Sequence, residues 1–287
     1  MSRVHIVTDS TVQFCTPGFA EQHTFTQVPL SIRLGERTYL DDHQITTSQI
    51  FEQEVAGGPL PVTAAPTVEQ FASAYVAASR YTDQILSIHA SGKLSATVSH
   101  ALAASEAVKG RCAVEVVDSQ SISAGLGALV EMATLAAERG AALDEVVRLV
   151  RGAVPRLYAV FFVETLSHLA HAGHANPAQA ILANMLNLKP FLTLEEGELA
   201  PMEKTRNRLQ ALEKLVEFVT EFTDIEYLAI MHGEDSPSAD AVQVRERLEA
   251  AYPGRAWPLL TYGPSLAALL GPRALGVMVC EAEVEPE

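Results

Sequence analysis

A short polar turn carries the residue types best suited to holding an anion. The segment Ser91-Gly92-Lys93-Leu94-Ser95-Ala96-Thr97 follows an apolar run, 85–88, which predicts a buried strand. It precedes an Ala-rich stretch, 95–108, which predicts a helix with Ser95 near its N-cap. The first N–H groups of a helix lack partners and carry the positive end of the helix dipole, so such a turn suits a carboxylate or a phosphate. Taken alone, the turn is better explained as an ordinary strand–helix loop.

Polar residues also follow two other predicted strands. Thr8-Asp9-Ser10-Thr11 comes directly after the run 4–7, and Asp118-Ser119-Gln120-Ser121 follows the run 114–117. A repeated order of strand, polar loop and helix predicts a parallel α/β sheet, in which ligands bind beyond the carboxyl ends of the strands. We therefore expect these two loops and the turn at 91–95 to share one rim.

Other reactive residues form weaker patterns. His168, His171 and His174 are spaced three apart and would lie near one helical face, but no fourth zinc ligand is evident, so we expect no metal site. Ser91 and the pair at 118–119 could belong to a hydrolase triad with one of the histidines. The sequence has no G-x-S-x-G elbow, which argues against that interpretation.

The composition indicates a soluble acidic protein. The 287 residues carry a formal net charge of -15, and 48% are hydrophobic, which argues against disorder. No stretch clusters Lys and Arg, so we expect no nucleic-acid binding. The three cysteines, Cys15, Cys112 and Cys280, are far apart and fit reduced thiols. Neither a signal peptide nor a membrane span is evident, so we expect a cytoplasmic location.

The order of the predicted elements indicates a two-domain α/β protein. We predict a parallel-sheet N-terminal domain over residues 1–155, because strands and helices alternate there. Residues 156–287 mix helices with a hairpin and predict a mixed α/β C-terminal domain. Within the first domain we expect two strands in 24–40 and a rigid extended loop at 57–67, where prolines restrict the backbone.

Several segments, in order along almost the whole chain, resemble the DegV family, whose characterised members bind fatty acids. The matching segments are V-T-D-S-T (7–11), V-P-L-S-I (28–32), Y-L-D-D (39–42), S-I-H-A-S-G-K-L-S-A-T (87–97), V-D-S-Q-S-I-S-A-G-L-G (117–127), N-L-K-P (187–190) and the E-G-E-L hairpin with Lys204 and Arg206 after it. One such segment would be weak evidence, but the ordered set is specific.

The resemblance implies a DegV-like fold with one fatty acid buried between the two domains. In family members, a Thr in a T-S-x-P loop and a Ser in an L-S-G turn hold the carboxylate. These positions match Thr63 in T-A-A-P and Ser95 in L-S-A. Two hydroxyls can donate charge-assisted hydrogen bonds to a carboxylate. The implied ligand is a long-chain, palmitate-like fatty acid, with no cofactor and no metal.

The resemblance also implies a possible protein partner. Some family members are carrier subunits of a bacterial fatty-acid kinase and present the acyl carboxylate to a separate ATP-binding subunit. Arg206 matches a family arginine linked to that partner. This chain has no nucleotide signature, because Gly92-Lys93 is not followed directly by Ser or Thr and the preceding P-loop glycine is missing. Phosphoryl transfer would therefore be the partner's reaction.

Three positions depart from the family pattern. Leu269 stands in place of a His of the carboxylate network, His174 in place of an Arg, and Ala64 in place of the Ser of T-S-x-P. Fewer polar groups then surround the carboxylate, so binding should depend more on acyl-chain burial, at roughly 0.8 kcal/mol per CH₂. We expect the chain to bind lipid but to present the bound fatty acid poorly to a kinase.

Three classes of function stay open on this evidence. The chain could be a lipid carrier, an acyl hydrolase or transferase acting at the same rim, or a regulatory module that has lost its ligand. A stable co-purified fatty acid would favour the carrier, and turnover of an acyl ester or thioester would favour the enzyme. A domain junction filled with apolar side chains would favour the regulatory module.

Overall fold

The computed structural model of the chain describes residues 3–42, 44–185, 189–205, 207–234 and 237–283. These residues form three β-sheets with helices packed against them, which confirms the mixed α/β class. Within the same ranges, every helix is too short or too polar to cross a membrane.

The elements are numbered in chain order. The strands are β1 (His5–Asp9), β2 (Thr26–Val28), β3 (Ser31–Leu34), β4 (Arg37–Leu40), β5 (Val62–Ala64), β6 (Gln84–His89), β7 (Ala113–Asp118), β8 (Leu157–Phe162), β9 (Lys189–Glu195), β10 (Glu198–Thr205), β11 (Ile225–His232), β12 (Leu259–Thr261) and β13 (Leu275–Glu281). The α-helices are α1 (Phe19–Gln22), α2 (Thr47–Val55), α3 (Val68–Ala78), α4 (Thr97–Ala104), α5 (Ala124–Glu138), α6 (Leu143–Ala153), α7 (Ser167–His171), α8 (Pro177–Met185), α9 (Arg208–Thr220), α10 (Ala239–Ala251) and α11 (Pro264–Leu270).

The first sheet is parallel and has the strand order β2-β1-β6-β7. Alternate residues of its strands pack into two different clusters, Val7 and Ile85 against α3 and α4, and Ile6 and Leu86 against α5 and α6. Helices thus cover both faces, which is why every residue of β1 is buried. The carboxyl ends of β1, β6 and β7 lie at one edge, as expected for the rim.

A small antiparallel sheet, β4-β3-β5, corrects two predictions. The segment 24–40 contains three strands, because β2 leaves the hairpin β3–β4 and pairs with β1 instead. The segment 57–67, predicted as a loop, contains β5, whose Thr63 pairs with Ile32 of β3. This pairing joins residues about thirty positions apart, so local sequence does not reveal it.

The second large sheet has the order β10-β9-β8-β13-β11-β12 and is antiparallel except between β11 and β12. The predicted hairpin is present as β9 and β10, with Glu196 and Gly197 in left-handed conformations at its turn. All strands of this sheet follow residue 156, and all strands of the parallel sheet precede it. The division into domains at 155 itself stays a prediction.

The sequence predicts a helix from residue 95 after the polar turn, and the structure has this helix begin two residues later. Helix α2, by comparison, is capped by Thr46, whose side chain accepts a hydrogen bond from the Gln49 N–H. Helix α4, in contrast, begins at Thr97 and has Ala96 as its N-cap, and a 3-10 turn, 105–108, follows it. Ser95 therefore lies near the N-cap, as predicted, one residue before the N-cap itself.

A cluster of buried apolar side chains joins the two halves of the chain. Ile32 and Ala90 from the first half pack in it with Phe161, Leu269 and Met278 from the second. All three cysteines are buried and free. Polar groups at the edge of this shared core form the candidate site.

Candidate functional site

The turn after β6 is fixed by its own backbone and by Ser91. The Ser91 N–H donates to the Ser121 carbonyl at 2.8 Å, and the Ser91 carbonyl accepts from the N–H groups of Leu94 and Ser95 at 3.0 and 3.1 Å. The fully buried Ser91 hydroxyl donates to the Gly197 carbonyl at 2.7 Å and accepts from the Lys93 N–H at 3.1 Å. Ser91 thus anchors the β9–β10 hairpin to the turn.

The two halves of the chain enclose a small cavity beside this turn. It has a volume of about 160 Å³. Its polar lining residues are Thr11, Thr63, Ser95, His171, His174 and Ser265. Its apolar wall includes Leu30, Val62, Leu94, Ile122, Ala268 and Leu269. The structure therefore places Thr63 and Ser95, the two residues singled out for a carboxylate, on the wall of one cavity.

The two hydroxyls differ in how they are held. Ser95 is half-buried, and its Oγ lies 2.7 Å from Thr97 Oγ1 and accepts from the Thr97 N–H at 3.3 Å. Thr63 is exposed, and among the described residues no hydrogen bond involves its side chain. A pair of hydroxyls such as Ser95 and Thr97 needs only one proton between them, which leaves one O–H free to donate to a ligand.

The loops after β1 and β7 lie at the same edge of the parallel sheet as the turn after β6, as predicted from the sequence. Thr11 lines the cavity, whereas the Asp118 carboxylate accepts hydrogen bonds from the N–H groups of Gly92 and Gln120 at 3.1 and 2.8 Å. The Ser119 hydroxyl donates to the Ser121 carbonyl at 3.1 Å. Asp118 and Ser119 therefore organise backbone, and the described contacts do not assemble them into a hydrolase triad.

A buried chain of side chains supports the cavity from below. The Tyr75 hydroxyl donates to Ser87 Oγ at 2.8 Å, and Ser87 Oγ lies 2.6 Å from His89 Nε2. His89 Nδ1 lies 3.2 Å from Asp9 Oδ2, and the other Asp9 oxygen accepts from the Thr11 hydroxyl at 2.6 Å. Asp9 and His89 end strands β1 and β6, whereas Ser87 lies within β6 and Tyr75 within α3, so no local pattern shows that these residues meet.

The groups that surround the Asp9 carboxyl favour its ionised form. Burial alone would raise the pKa of the Asp9 carboxyl, but the hydrogen bond and charge of His89, with bonds from Thr11 and Ala90, outweigh burial and hold that pKa below its ordinary value. Burial raises the pKa of Tyr75 to about 12, so its hydroxyl stays protonated. Ser87, His89 and Asp9 are fully buried, so they fix Thr11 and cannot attack a ligand from solvent.

The wall from the second half of the chain comes from α7 and α11. Gly173 follows α7 with a φ of 85°, and the His174 N–H donates to the Leu169 carbonyl at 2.8 Å, so the chain reverses there and carries His174 back to the cavity. Ser265, near the start of α11, donates to Asp41 Oδ2 at 2.5 Å. Burial raises the pKa of that Asp41 carboxyl.

The three histidines do not form a metal site in the part of the chain that the structure describes. His168 is buried and its Nε2 lies 3.2 Å from Glu54 Oε2, whereas His171 and His174 line the cavity. His174 was considered from the sequence as the replacement of a family Arg, whereas the place of His171 on the cavity wall was not predicted, because the histidine spacing suggested only a zinc pattern.

Arg206 falls outside the described residues. Arg273 is exposed, with a φ of 59°, and its guanidinium lies 4.0 Å from Glu164 rather than on the cavity wall.

The fold and the site together define a mixed α/β protein with a hydroxyl-lined cavity between its two main sheets. The model of the DegV family, described as an uncharacterised protein family, matches residues 3–282. This chain belongs to the DegV family. It is 34% identical to a DegV domain-containing protein of Streptomyces coelicolor over 289 residues, 97% of this chain and 99% of the relative.

Solved structures give the same fold. A DegV family protein from Thermus thermophilus, described by its fatty-acid binding, shares 30% identity and a TM-score of 0.85, over 98% of this chain and 100% of that one. The fatty acid kinase (Fak) B3 protein of Streptococcus pneumoniae, loaded with linoleic acid, shares 19% identity and a TM-score of 0.83, also over 98% and 100%. The second likeness concerns the fold alone.

Proposed function

We propose that this chain binds a long-chain fatty acid, with Thr63 and Ser95 holding the carboxylate. The observation that carries the proposal is the meeting of these two hydroxyl residues, from β5 and from the turn before α4, on one cavity with an apolar wall. The fatty-acid binding of the Thermus thermophilus relative supports the same class of ligand.

The head group would lie near the protein surface. Thr63 is exposed, so a carboxylate beside it stays within reach of water and of a second protein. The Thr63 hydroxyl and the free proton of the Ser95–Thr97 pair supply two donors, and donors to an ionised oxygen form the stronger kind of hydrogen bond. The apolar wall at Leu30 and Leu269 leads the acyl chain inward.

The acyl chain needs more room than the cavity has. A cavity of about 160 Å³ is similar to one that accepts a benzene ring, so it holds the carboxylate and the first few carbons. The remaining carbons have to displace side chains of the shared core, where Met231 and Met278 supply adaptable packing. Burial of ten methylenes would contribute on the order of 8 kcal/mol gross, which has to exceed this repacking and the cost of association.

We further propose that the chain is a carrier without catalysis of its own. Ser87, His89 and Asp9 are the described residues that most resemble a catalytic triad, and they are fully buried. A separate ATP-binding kinase subunit is the partner to test, with Arg206 as its proposed contact, and the fold shared with the fatty acid kinase B3 protein motivates that test.

The experiment is extraction of lipid from the purified protein and mass spectrometry, followed by calorimetric titration of the delipidated protein with saturated acids from octanoate to stearate. We expect a co-purified fatty acid and affinity that rises with chain length. Absence of both would overturn the proposal. Turnover of an acyl thioester by the same preparation would instead support an acyl hydrolase or transferase.

A further inference from the structure

Two imidazoles line the same cavity as the hydroxyl residues. His171 is the last residue of α7, and His174 follows it across the Gly173 turn. Among the described residues that line the cavity, these two are the titratable ones. A site for an anion that contains hydroxyls and neutral imidazoles gains positive charge only when an imidazole takes up a proton.

The backbone holds this pair in place. The Gly173 N–H donates to the Ala170 carbonyl at 3.2 Å, and the His174 N–H donates to the Leu169 carbonyl at 2.8 Å. The His174 ring itself has the Leu94 carbonyl as a hydrogen-bond partner. His174 therefore bridges α7 to the turn that carries Ser95.

His174 is also in contact with solvent. Together with Leu94 it lines both the cavity and a neighbouring open cleft of about 550 Å³, which Lys93 and Glu198 border. Protons can therefore reach the ring from the cleft while a ligand occupies the cavity.

We propose that His171 and His174 form a proton-dependent part of the carboxylate site, so that binding of a fatty acid takes up protons and tightens as pH falls. The inference rests on the proposed function and adds its regulation. It differs from a fixed cationic site, whose affinity for a carboxylate would be constant through the neutral range.

The surroundings of His174 favour its neutral form in the empty site. Partial burial lowers the pKa of His174, and its bond to the Leu94 carbonyl only partly opposes this. On α7 itself, His168 is directed to Glu54 of α2 at 3.2 Å. Across the cleft, the Lys93 ammonium lies 3.4 Å from Glu198, which partly compensates its charge.

Groups from the remaining neighbours add little positive charge. From α11, Ser265 faces the cavity with Asp41 behind it, and Arg273 is directed to Glu164. The described side chains of α8 that pack beside α7 include no titratable group. A bound carboxylate would thus be the strongest new charge beside the imidazoles and would favour protonation of His174.

The test is calorimetric titration of the delipidated protein with dodecanoate between about pH 6 and pH 8. A carboxylic acid with an ordinary pKa of about 4.3 stays ionised over this range, so changes in affinity come from the protein. We expect Kd to be about tenfold lower at the acid end, and titrations in buffers of different ionisation enthalpy to show proton uptake. In the double variant His171→Gln, His174→Gln, we expect the Kd ratio to fall below about twofold and the proton uptake to disappear.

Two controls separate this effect from a loss of structure. Dodecanol has no charge, so its binding should be independent of pH and equal in the parent and the double variant. His23→Gln removes a histidine that pairs with Glu138 away from the cavity, and it should leave the pH dependence unchanged.

The outcomes distinguish the two proposals. If dodecanoate binds without pH dependence or proton uptake, or if the double variant keeps both, the proton-dependent site is refuted while the lipid-binding proposal stands. If dodecanoate does not bind at all, both are refuted.

Discussion

Removal of one hydroxyl from the cavity wall tests the head-group site most directly. Thr63→Val keeps the β-branched shape that suits strand β5 and removes only the oxygen. Since no hydrogen bond of the described residues involves the Thr63 side chain, the variant should keep the parent's free energy of unfolding within about 0.5 kcal/mol. Any loss of fatty-acid affinity would then belong to the ligand.

The expected loss follows from the exposure of Thr63. A hydrogen bond to a charged group contributes about 1.5–3 kcal/mol, and competition from water at an exposed position favours the lower value. A loss of about 1.5 kcal/mol raises Kd roughly tenfold. Ser95→Ala should have a similar effect on Kd but should also lower stability, because Ser95 Oγ accepts from the Thr97 N–H. The double variant should bind more weakly than either single variant.

The assay is titration with palmitate and with methyl palmitate, which cannot present an ionised oxygen. The ester should bind the parent more weakly than the acid and should be nearly insensitive to Thr63→Val. Thr38→Val, at an exposed position of β4 outside the cavity wall, is the matched control. If the double variant binds palmitate as tightly as the parent does, the carboxylate is not held by these hydroxyls.

Two further predictions concern stability. Gly197→Ala should lower the free energy of unfolding by about 2–4 kcal/mol, because φ is 84° and an added Cβ would lie 2.3 Å from Ser91 Oγ. Gly254→Ala is the control for the backbone cost alone, because its φ is 86° and no atom lies within 4 Å of the added Cβ. If urea unfolding shows the same loss of stability for both variants, the contact between the hairpin and Ser91 does not contribute. The pKa of Asp41 is higher in the folded protein than in the unfolded chain, where it is about 3.9. The stability that Asp41 contributes is therefore present below about pH 3.9 and is lost as pH rises through the pKa of the folded protein. Asp41→Asn keeps an acceptor for Ser265, so its stability relative to the parent should improve from about pH 4 to pH 7, and a constant difference would contradict this sign.

Local patterns predicted those elements whose contacts are close in sequence. The hairpin β9–β10 was predicted because the left-handed turn at Gly197 acts within a few residues. Strand β5 was missed because its three residues gain their hydrogen bonds from β3, and the prolines on either side of it favour a loop. The start of α4 was placed two residues early because Ser95 accepts a hydrogen bond from the N–H of Thr97, the first helical residue, although the N-cap itself is Ala96.

The candidate site shows the same limit. Thr63 and Ser95 were proposed from family motifs, and the structure places both on one cavity, but their contact with a carboxylate stays a prediction. The bond between Asp9 and His89 joins residues 80 positions apart. No periodicity or motif in one sequence reports such a pair, since either residue alone is an ordinary polar group at a strand end.

Leu269 should favour lipid binding but disfavour phosphorylation of the bound fatty acid by a kinase. It lines the cavity from α11 and is 8% exposed, so its side chain adds apolar area to the wall without offering a donor. An apolar wall strengthens binding of the acyl chain, whereas the carboxylate lacks a partner there that could donate a hydrogen bond or carry positive charge. We therefore expect tight lipid binding and slow phosphorylation of the bound acid by a separate kinase subunit.

Leu269→His should reverse part of this balance. The imidazole would add a donor to the cavity wall that Thr63 also lines, so the carboxylate should be held in a more defined position for attack on ATP. The assay is formation of acyl phosphate from bound palmitate with a fatty-acid kinase subunit and ATP, and Leu269→Met, which keeps the wall apolar, is the control. We expect the histidine variant to be phosphorylated several-fold faster than the parent and the methionine variant to match the parent. Phosphoryl transfer depends on the position of the nucleophile. Equal rates for all three proteins would therefore show that the side chain at position 269 does not limit transfer, and the prediction of slow phosphorylation would be wrong.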